Sequence, residues 1–190
     1  KIMYIVIEGI DTAGKSTQLN ILEQNNPNAI FTKEPGGTNI GTELRAMVLN
    51  GRAKSKIAEM LIFLADRAEH IEEVILPNKH KMVISDRSLI SGIAYASTLP
   101  LEQMIELNLL ATSNILPTHV VLLELTEDEL TKRLNAKEND SIESRGIDYL
   151  LNIQDRLKQA IVKMDLNHIF INASEPIDSI ATKIDNFLKS

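Results

Sequence analysis

Gly9-Ile10-Asp11-Thr12-Ala13-Gly14-Lys15-Ser16 reads G-x-x-x-x-G-K-[ST] without a mismatch. An apolar run, Ile2-Met3-Tyr4-Ile5-Val6-Ile7, precedes it, and Thr17-Gln18-Leu19-Asn20-Ile21-Leu22-Glu23 follows with helical spacing. This strand–loop–helix setting is what a phosphate-binding loop needs. Glycines let the backbone curl until its N–H groups converge on phosphate oxygens. The helix N-terminus behind the loop adds a favourable dipole. The pattern puts the Lys15 ammonium on the β- and γ-phosphates of a nucleoside triphosphate, and the Ser16 hydroxyl on Mg²⁺. A glycine turn with a chance lysine is the plain alternative, and the flanking strand and helix argue against it.

Around this loop, 190 residues suit one domain with a sizeable core. Twenty basic against 26 acidic residues give a net charge of −6, which disfavours broad, sequence-independent nucleic-acid binding. There is no cysteine, so disulfides and thiolate zinc sites are excluded and a reducing compartment fits. The apolar runs are strand-length, too short to span a membrane, and no signal-peptide pattern opens the chain. A cytoplasmic location is expected.

Strands are expected at 2–8, 28–32, 82–86, 119–124 and 168–172. Runs such as Val120-Val121-Leu122-Leu123 are continuously apolar, which fits strands buried on both faces of a parallel sheet. Helices are expected at 15–25, 39–49, 56–76 (stopped by Pro77), 101–115, 126–135, 147–165 and 176–188. Thr126-Glu127-Asp128-Glu129 reads as a capping box. The alternation predicts a three-layer α/β domain, a five-stranded parallel sheet between helices, covering residues 1–190. The polar stretch Asn135–Gly146 breaks the pattern. It reads either as a solvated loop or as a lid, over about 135–147, that closes on a nucleotide.

Two further clusters lie at strand ends. Thr32-Lys33-Glu34-Pro35-Gly36-Gly37-Thr38 follows the second strand, which puts Glu34 near the crevice where α/β proteins bind ligands. Asp86-Arg87-Ser88 follows the third. An Asp there is the usual Mg²⁺ partner of a phosphate loop, and Arg87 beside it can fork onto phosphoryl oxygens; a surface ion pair is the plainer reading. Phe63 and Arg67 are four apart within a helix and share a face. Phe63 by default is core, but a flat ring one turn from an arginine also suits a nucleobase.

Together these segments resemble the thymidylate kinase family. The resemblance covers nearly the whole chain and rests on five blocks in order: Ile7–Thr17, Thr32–Thr38, Gly41-Thr42-Glu43-Leu44-Arg45, Leu64-Ala65-Asp66-Arg67-Ala68-Glu69-His70, and Asp86–Tyr95. It implies a P-loop kinase fold, a homodimer packed partly through helix 56–76, and a set of roles. Gly9, Ile10, Asp11, Thr12, Ala13, Gly14, Lys15, Ser16 and Thr17 would bind ATP. Arg133 and the loop around Asn172 and Ala173 would lie near the donor adenine. Asp11 would meet the acceptor sugar 3′-hydroxyl, Phe63 would stack on thymine, and Arg67 would hydrogen-bond the base edge. Arg45 and Arg87 would hold the acceptor phosphate, and Tyr95 would lie under the sugar 2′ position. Glu34, Ser91 and Gly92 would complete the dTMP site. Ser16 and Asp86 would hold Mg²⁺.

The departures are informative. Lys33 replaces a common arginine and loses its fork. Ser88 replaces a bulky residue, and Ala96 replaces a glutamine that helps read thymine. Thr12 is neutral where some members carry a P-loop arginine, so the chain resembles the subgroup whose catalytic cation comes from the lid. Arg145 then ranks with Lys15, Arg87 and Asp11 as catalytic, with Lys137 a second lid cation. The implied reaction moves the ATP γ-phosphate to dTMP, giving dTDP and ADP, with no side-chain nucleophile. Competing readings are a kinase for another monophosphate or nucleoside, a P-loop protein that has lost activity, and a guanine-nucleotide switch. Asn78-Lys79-His80-Lys81 begins like N-K-x-D but lacks its Asp.

Overall fold

The computed structural model describes residues 2–136 and 146–190. Five strands, β1 (Met3–Glu8), β2 (Ile30–Lys33), β3 (Met82–Asp86), β4 (His119–Glu124) and β5 (His168–Asn172), form one sheet in the order β2-β3-β1-β4-β5. Every pairing is parallel. Consecutive residues Tyr4 to Ile7 in β1 and Val120 to Leu123 in β4 are all buried. Neighbours along a strand face opposite ways, so both faces of the sheet are covered. Parallel strands also share one C-terminal edge. Here each ends on a polar residue: Glu8, Lys33, Asp86, Glu124 and Asn172. That edge is where the sheet can hold a polar ligand.

Among the described residues eight α-helices flank the sheet: α1 (Lys15–Asn25), α2 (Asn39–Leu49), α3 (Lys56–His70), α4 (Leu89–Tyr95), α5 (Leu101–Ala111), α6 (Glu127–Ala136), α7 (Ile147–Lys163) and α8 (Ile177–Leu188). α1 packs on α8, α2 on α3, and α4 on both α5 and α7. The expected α/β class and five-stranded parallel sheet are borne out. No described helix is long and apolar enough to cross a membrane.

Element ends differ from the sequence reading for physical reasons. The second strand starts at Ile30 rather than 28. α3 does not run on as an α-helix to 76. Its last turn widens over Ile71–Ile75, with the Leu76 N–H donating to the Ile71 carbonyl at 2.9 Å, before Pro77 ends it. α5 stops at Ala111 because Ser113 and Asn114 take left-handed backbone angles, and Asp165 does the same after α7. The expected cap of α6 is half formed. Thr126 Oγ1 accepts from Glu129 N–H at 3.3 Å, while the Glu129 carboxylate turns to Arg133.

One element was not foreseen. α4 is only seven residues long, is mostly apolar, and contains Gly92, so it has no helical periodicity to read. Its start is set by Ser88, whose Oγ accepts from Ile90 N–H at 3.2 Å. Its end is fixed from α7. The Arg156 guanidinium donates to the carbonyls of Ala94 at 2.7 Å, Ala96 at 2.8 Å and Ile93 at 3.2 Å. These bonds take up carbonyls that a helix end leaves orphaned, and they hold Tyr95 between them.

Candidate active site

The phosphate loop leaves the centre of the sheet, from β1. At Gly9 an added Cβ would come within 3.0 Å of the Leu123 carbonyl and 3.1 Å of Ala13 Cβ, so only glycine lets the loop lie against β4. Lys15 Nζ donates to the Gly9 carbonyl at 3.1 Å, folding the side chain back over its own loop. Burial lowers its pKa, and the nearby Arg87 charge adds to that. Both effects favour bringing phosphate to it. Thr12, a β-branched residue, is held at φ 73, where such side chains are rare. Ser16 lies exposed at the helix start.

Arg87 joins this loop to the end of β3. Its NH2 lies 3.2 Å from Asp11 Oδ1, its NH1 donates to Ser91 Oγ at 3.1 Å, and its guanidinium carbon lies 5.3 Å from the Tyr95 ring centre. Asp11, Arg87, Ser91 and Tyr95 therefore come together, three elements meeting at one guanidinium. Asp86 beside it has a buried Oδ1 with no hydrogen-bond partner. An orphaned carboxylate oxygen at the end of β3 is a donor atom suited to a divalent cation or its water. Among the described residues no cluster of three or more His, Cys, Asp or Glu could hold a metal ion alone.

Around Arg67 lies a buried polar network. Arg67, only 3% exposed, donates from Nε to Glu34 Oε2 at 2.8 Å, from NH1 to Asn108 Oδ1 at 2.6 Å, and from NH2 to the Ser88 carbonyl at 3.3 Å. Glu34 Oε1 faces His70 Nδ1 at 2.8 Å, and His70 Nε2 faces Thr32 Oγ1 at 2.8 Å. A carboxylate only accepts, so Nδ1 carries the proton. Burial alone would raise the Glu34 pKa, but Arg67 and His70 outweigh it and hold it below the ordinary value. Both Glu34 oxygens are thus taken up by protein, which places Glu34 behind Arg67 rather than at the ligand. At Gly92 an added Cβ would lie 2.5 Å from Arg67 NH1, so the absence of a side chain there admits the guanidinium.

Phe63 is half-buried and does not pack against the core cluster, which its default reading as core would require. Arg45 is folded back, its NH1 donating to the Pro35 carbonyl at 2.9 Å. The Gly36 N–H in that loop donates to Asp66 Oδ1 at 2.8 Å, and burial raises the Asp66 pKa. Arg133 ties α6 to two loops: NH1 donates to the Thr12 carbonyl at 2.9 Å and NH2 to the Ala173 carbonyl at 2.7 Å. Arg145 and Lys137 lie outside the described residues, as does most of the 135–147 stretch.

Asn78-Lys79-His80-Lys81 precedes β3, at the sheet edge opposite the phosphate loop, and Asn78 Nδ2 donates to the Val74 carbonyl at 2.8 Å. It caps a helix end and has no place near a nucleotide. Three network residues were missed from sequence. Glu8 is fully buried and accepts from Ser88 Oγ at 2.7 Å and Ser91 Oγ at 2.6 Å. Burial raises its pKa, which the two serine hydroxyls partly offset. A charged residue closing an apolar strand is itself an anomaly that sequence shows. His70 and Asn108 gave no such signal.

Comparison with known proteins gives a consistent result. A family model described as Thymidylate kinase matches residues 7–184. A curated protein named thymidylate kinase from Aliarcobacter butzleri is 69% identical over 186 residues, covering 98% of each chain. One of the same name from Sulfurimonas denitrificans is 54% identical over 187 residues, covering 97% of this chain and 98% of its own. The crystal structure of a thymidylate kinase from Ehrlichia chaffeensis matches with a TM-score of 0.78 at 24% identity, over 99% of this chain and 98% of that one. At that identity it speaks for the fold alone.

Proposed function

This chain belongs to the thymidylate kinase family and phosphorylates dTMP to dTDP, and from that premise we propose how its residues divide the work. One observation carries the division. Arg87, at the end of β3, and Asp11, within the phosphate loop, form an ion pair at 3.2 Å, so donor and acceptor machinery share one point. The Gly9–Thr17 loop cradles the ATP phosphates, with Ile10 and Ala13 buried beneath it, and Lys15 exchanges the Gly9 carbonyl for phosphate. Arg133 and the Ala173 loop border the adenine. Arg87 and Arg45 hold the acceptor phosphate, Asp11 the sugar, and Tyr95 the space below it. Phe63 stacks on the base, Arg67 offers its remaining N–H groups to the base edge, and Ser91 and Gly92 close the pocket. Glu34 acts by fixing Arg67.

Ser16 and the orphaned Asp86 oxygen would hold Mg²⁺, which supplies charge neutralisation of the phosphates. The acceptor phosphate is its own nucleophile. Its second pKa is roughly 6, so it is largely ionised at neutral pH and needs no general base. Catalysis then rests on positioning and on cations. With Thr12 neutral, the sequence points to Arg145 for the transferred phosphoryl group, with Lys137 as a second cation. We place this single kinase domain, residues 1–190, in the cytoplasm, with no nucleic-acid or membrane partner.

A panel of dTMP, dUMP, dCMP, AMP and GMP with ATP tests the reading. dTMP should give the highest kcat/KM, and a better acceptor would overturn it. Ala96 offers the base no side-chain hydrogen bond, so dUMP should be the nearest competitor.

Because Phe63 stands off the core, Phe63→Ala should leave Tm almost unchanged. It should still raise the dTMP KM about 5- to 150-fold, the range of a base–aromatic stack of about 1–3 kcal/mol. A large Tm loss with unchanged KM would return Phe63 to a packing role.

The homodimer is supported by α3. Ile57 and Leu61 are 44% and 52% exposed and, with exposed Ala65 and Ala68, form one face at helical spacing. Leu110 on the neighbouring α5 is 76% exposed. Sedimentation should show a dimer at micromolar concentration and a monomer for Leu61→Glu.

A further inference from the structure

Glu8 is the last residue of β1 and has no exposed surface. A carboxylate at that depth is costly unless its lone pairs are filled. Each oxygen takes one serine hydroxyl, Ser88 at 2.7 Å and Ser91 at 2.6 Å. Neither serine is a bystander. With its proton committed to Glu8, the Ser91 hydroxyl presents only lone pairs elsewhere, and Arg87 NH1 donates to it at 3.1 Å. Ser88 spends its proton on Glu8, its lone pair on Ile90 N–H, and its carbonyl on Arg67 NH2. Arg87 itself sits at φ 69, a left-handed backbone that a non-glycine residue keeps only when its surroundings hold it.

We propose that Glu8 is the positioning residue of the acceptor-phosphate arginine: by orienting the hydroxyl protons of Ser91 and Ser88 it sets the direction of the Arg87 guanidinium and, through Ser88, its spacing from Arg67. This rests on the reading of Arg87 as an acceptor-phosphate ligand. It also accounts for serine at 88, since a bulky side chain without a hydroxyl would leave one Glu8 oxygen unpaired. Fully enclosed, Glu8 touches no substrate and acts only through its neighbours. The network links the arginine that reads the base to the arginine that holds the phosphate, so a correctly seated base favours a correctly aimed phosphate.

Glu8→Gln keeps the shape but points amide protons at one serine, forcing its hydroxyl to turn. Misplacing Arg87 by about an ångström should lower kcat/KM for dTMP on the order of 10²-fold. The loss should appear in both kcat and the dTMP KM, with the ATP KM near wild type. A double-mutant cycle separates positioning from general damage. In an Arg87→Lys background, where the guanidinium fork is gone, Glu8→Gln should add little. Ser88→Ala, which leaves Glu8 one donor short, carries the same cycle if Glu8→Gln does not fold. An unchanged dTMP kcat/KM in an active enzyme, or effects that multiply in the double variant, overturns this assignment alone. Absence of dTMP turnover in the wild type overturns it together with the reading it rests on.

Discussion

Arg87→Ala should lower the turnover of dTMP by about 10³- to 10⁵-fold, the cost of losing an arginine proposed to face transition-state phosphoryl charge, while the protein stays folded. The rate loss follows from where the guanidinium lies. It sits between Asp11 of the phosphate loop and Ser91 of α4, over Tyr95, where an acceptor phosphate brought to the loop would meet it. The small stability cost follows from exposure. The Arg87 side chain is 20% exposed and its partner Asp11 53%, so removing the pair leaves no charge stranded in the interior. Alanine at φ 69 inherits the same backbone strain, so Arg87→Gly should be at least as stable as Arg87→Ala and equally slow. Lysine keeps the charge without the fork and should fall between. ADP release in a coupled assay, with Tm measured alongside, checks the set. Arg145→Ala makes the contrast: it should lower kcat far more than it raises the dTMP KM, because in the proposed division of work its charge acts only as the phosphoryl group moves. A turnover within a few-fold of wild type would remove whichever arginine showed it from the mechanism.

The sequence disclosed this site unevenly, and the reasons are physical. Gly9–Ser16 and Asp86–Arg87 were readable because phosphate chemistry demands fixed residue types at fixed spacing, close in the chain. The central strands were the most readable because a strand buried on both faces carries few polar residues along its length, as Tyr4–Ile7 and Val120–Leu123 show; the half-buried β2 was less sharply bounded. α4 was hidden because a seven-residue, mostly buried helix has too few polar positions to mark a period. The base-side network was hidden for another reason. Arg67 is 33 residues from Glu34 and 41 from Asn108 along the chain; the packing of α3 against α5 brings it to Asn108, and the loop after β2 brings Glu34 to it. Family resemblance supplied Arg67 and Glu34 as neighbours of the base. It did not indicate that Glu34 faces inward, or that Glu8 lies beneath Arg87.

Glu34 is a second sensitive point, a buried carboxylate held by Arg67 and His70. Glu34→Leu should destabilise the fold by about 3–5 kcal/mol, since it leaves Arg67 charged and buried without its partner. In a chain of this size that lowers Tm by roughly 6–20 °C. Activity should vanish with it at moderate temperature, which alone says little about function. The informative variant is the pair Glu34→Leu with Arg67→Met, which removes both charges and fills the space. Buried ion pairs replaced by apolar residues are often neutral in stability, so the double variant should recover part of the lost Tm, the buried His70 Nδ1–H and Asn108 Oδ1 left without partners holding back the rest. It should not recover dTMP turnover, because Arg67, proposed to read the base edge, is gone. Recovery of both would show that Arg67 is structural and that the base is read elsewhere. Acid titration supplies an independent check on Glu34 itself. Its folded pKa lies below the unfolded value of roughly 4.3, so the folded state binds the proton less readily. Its contribution to stability is complete above that unfolded value and is lost as the pH falls through the folded one. Wild type should therefore lose stability steeply below about pH 4.3, and the double variant should lose less over the same range. An identical acid limb in the two proteins would mean that Arg67 does not stabilise the Glu34 carboxylate, and the account of the base-side network would fail with it.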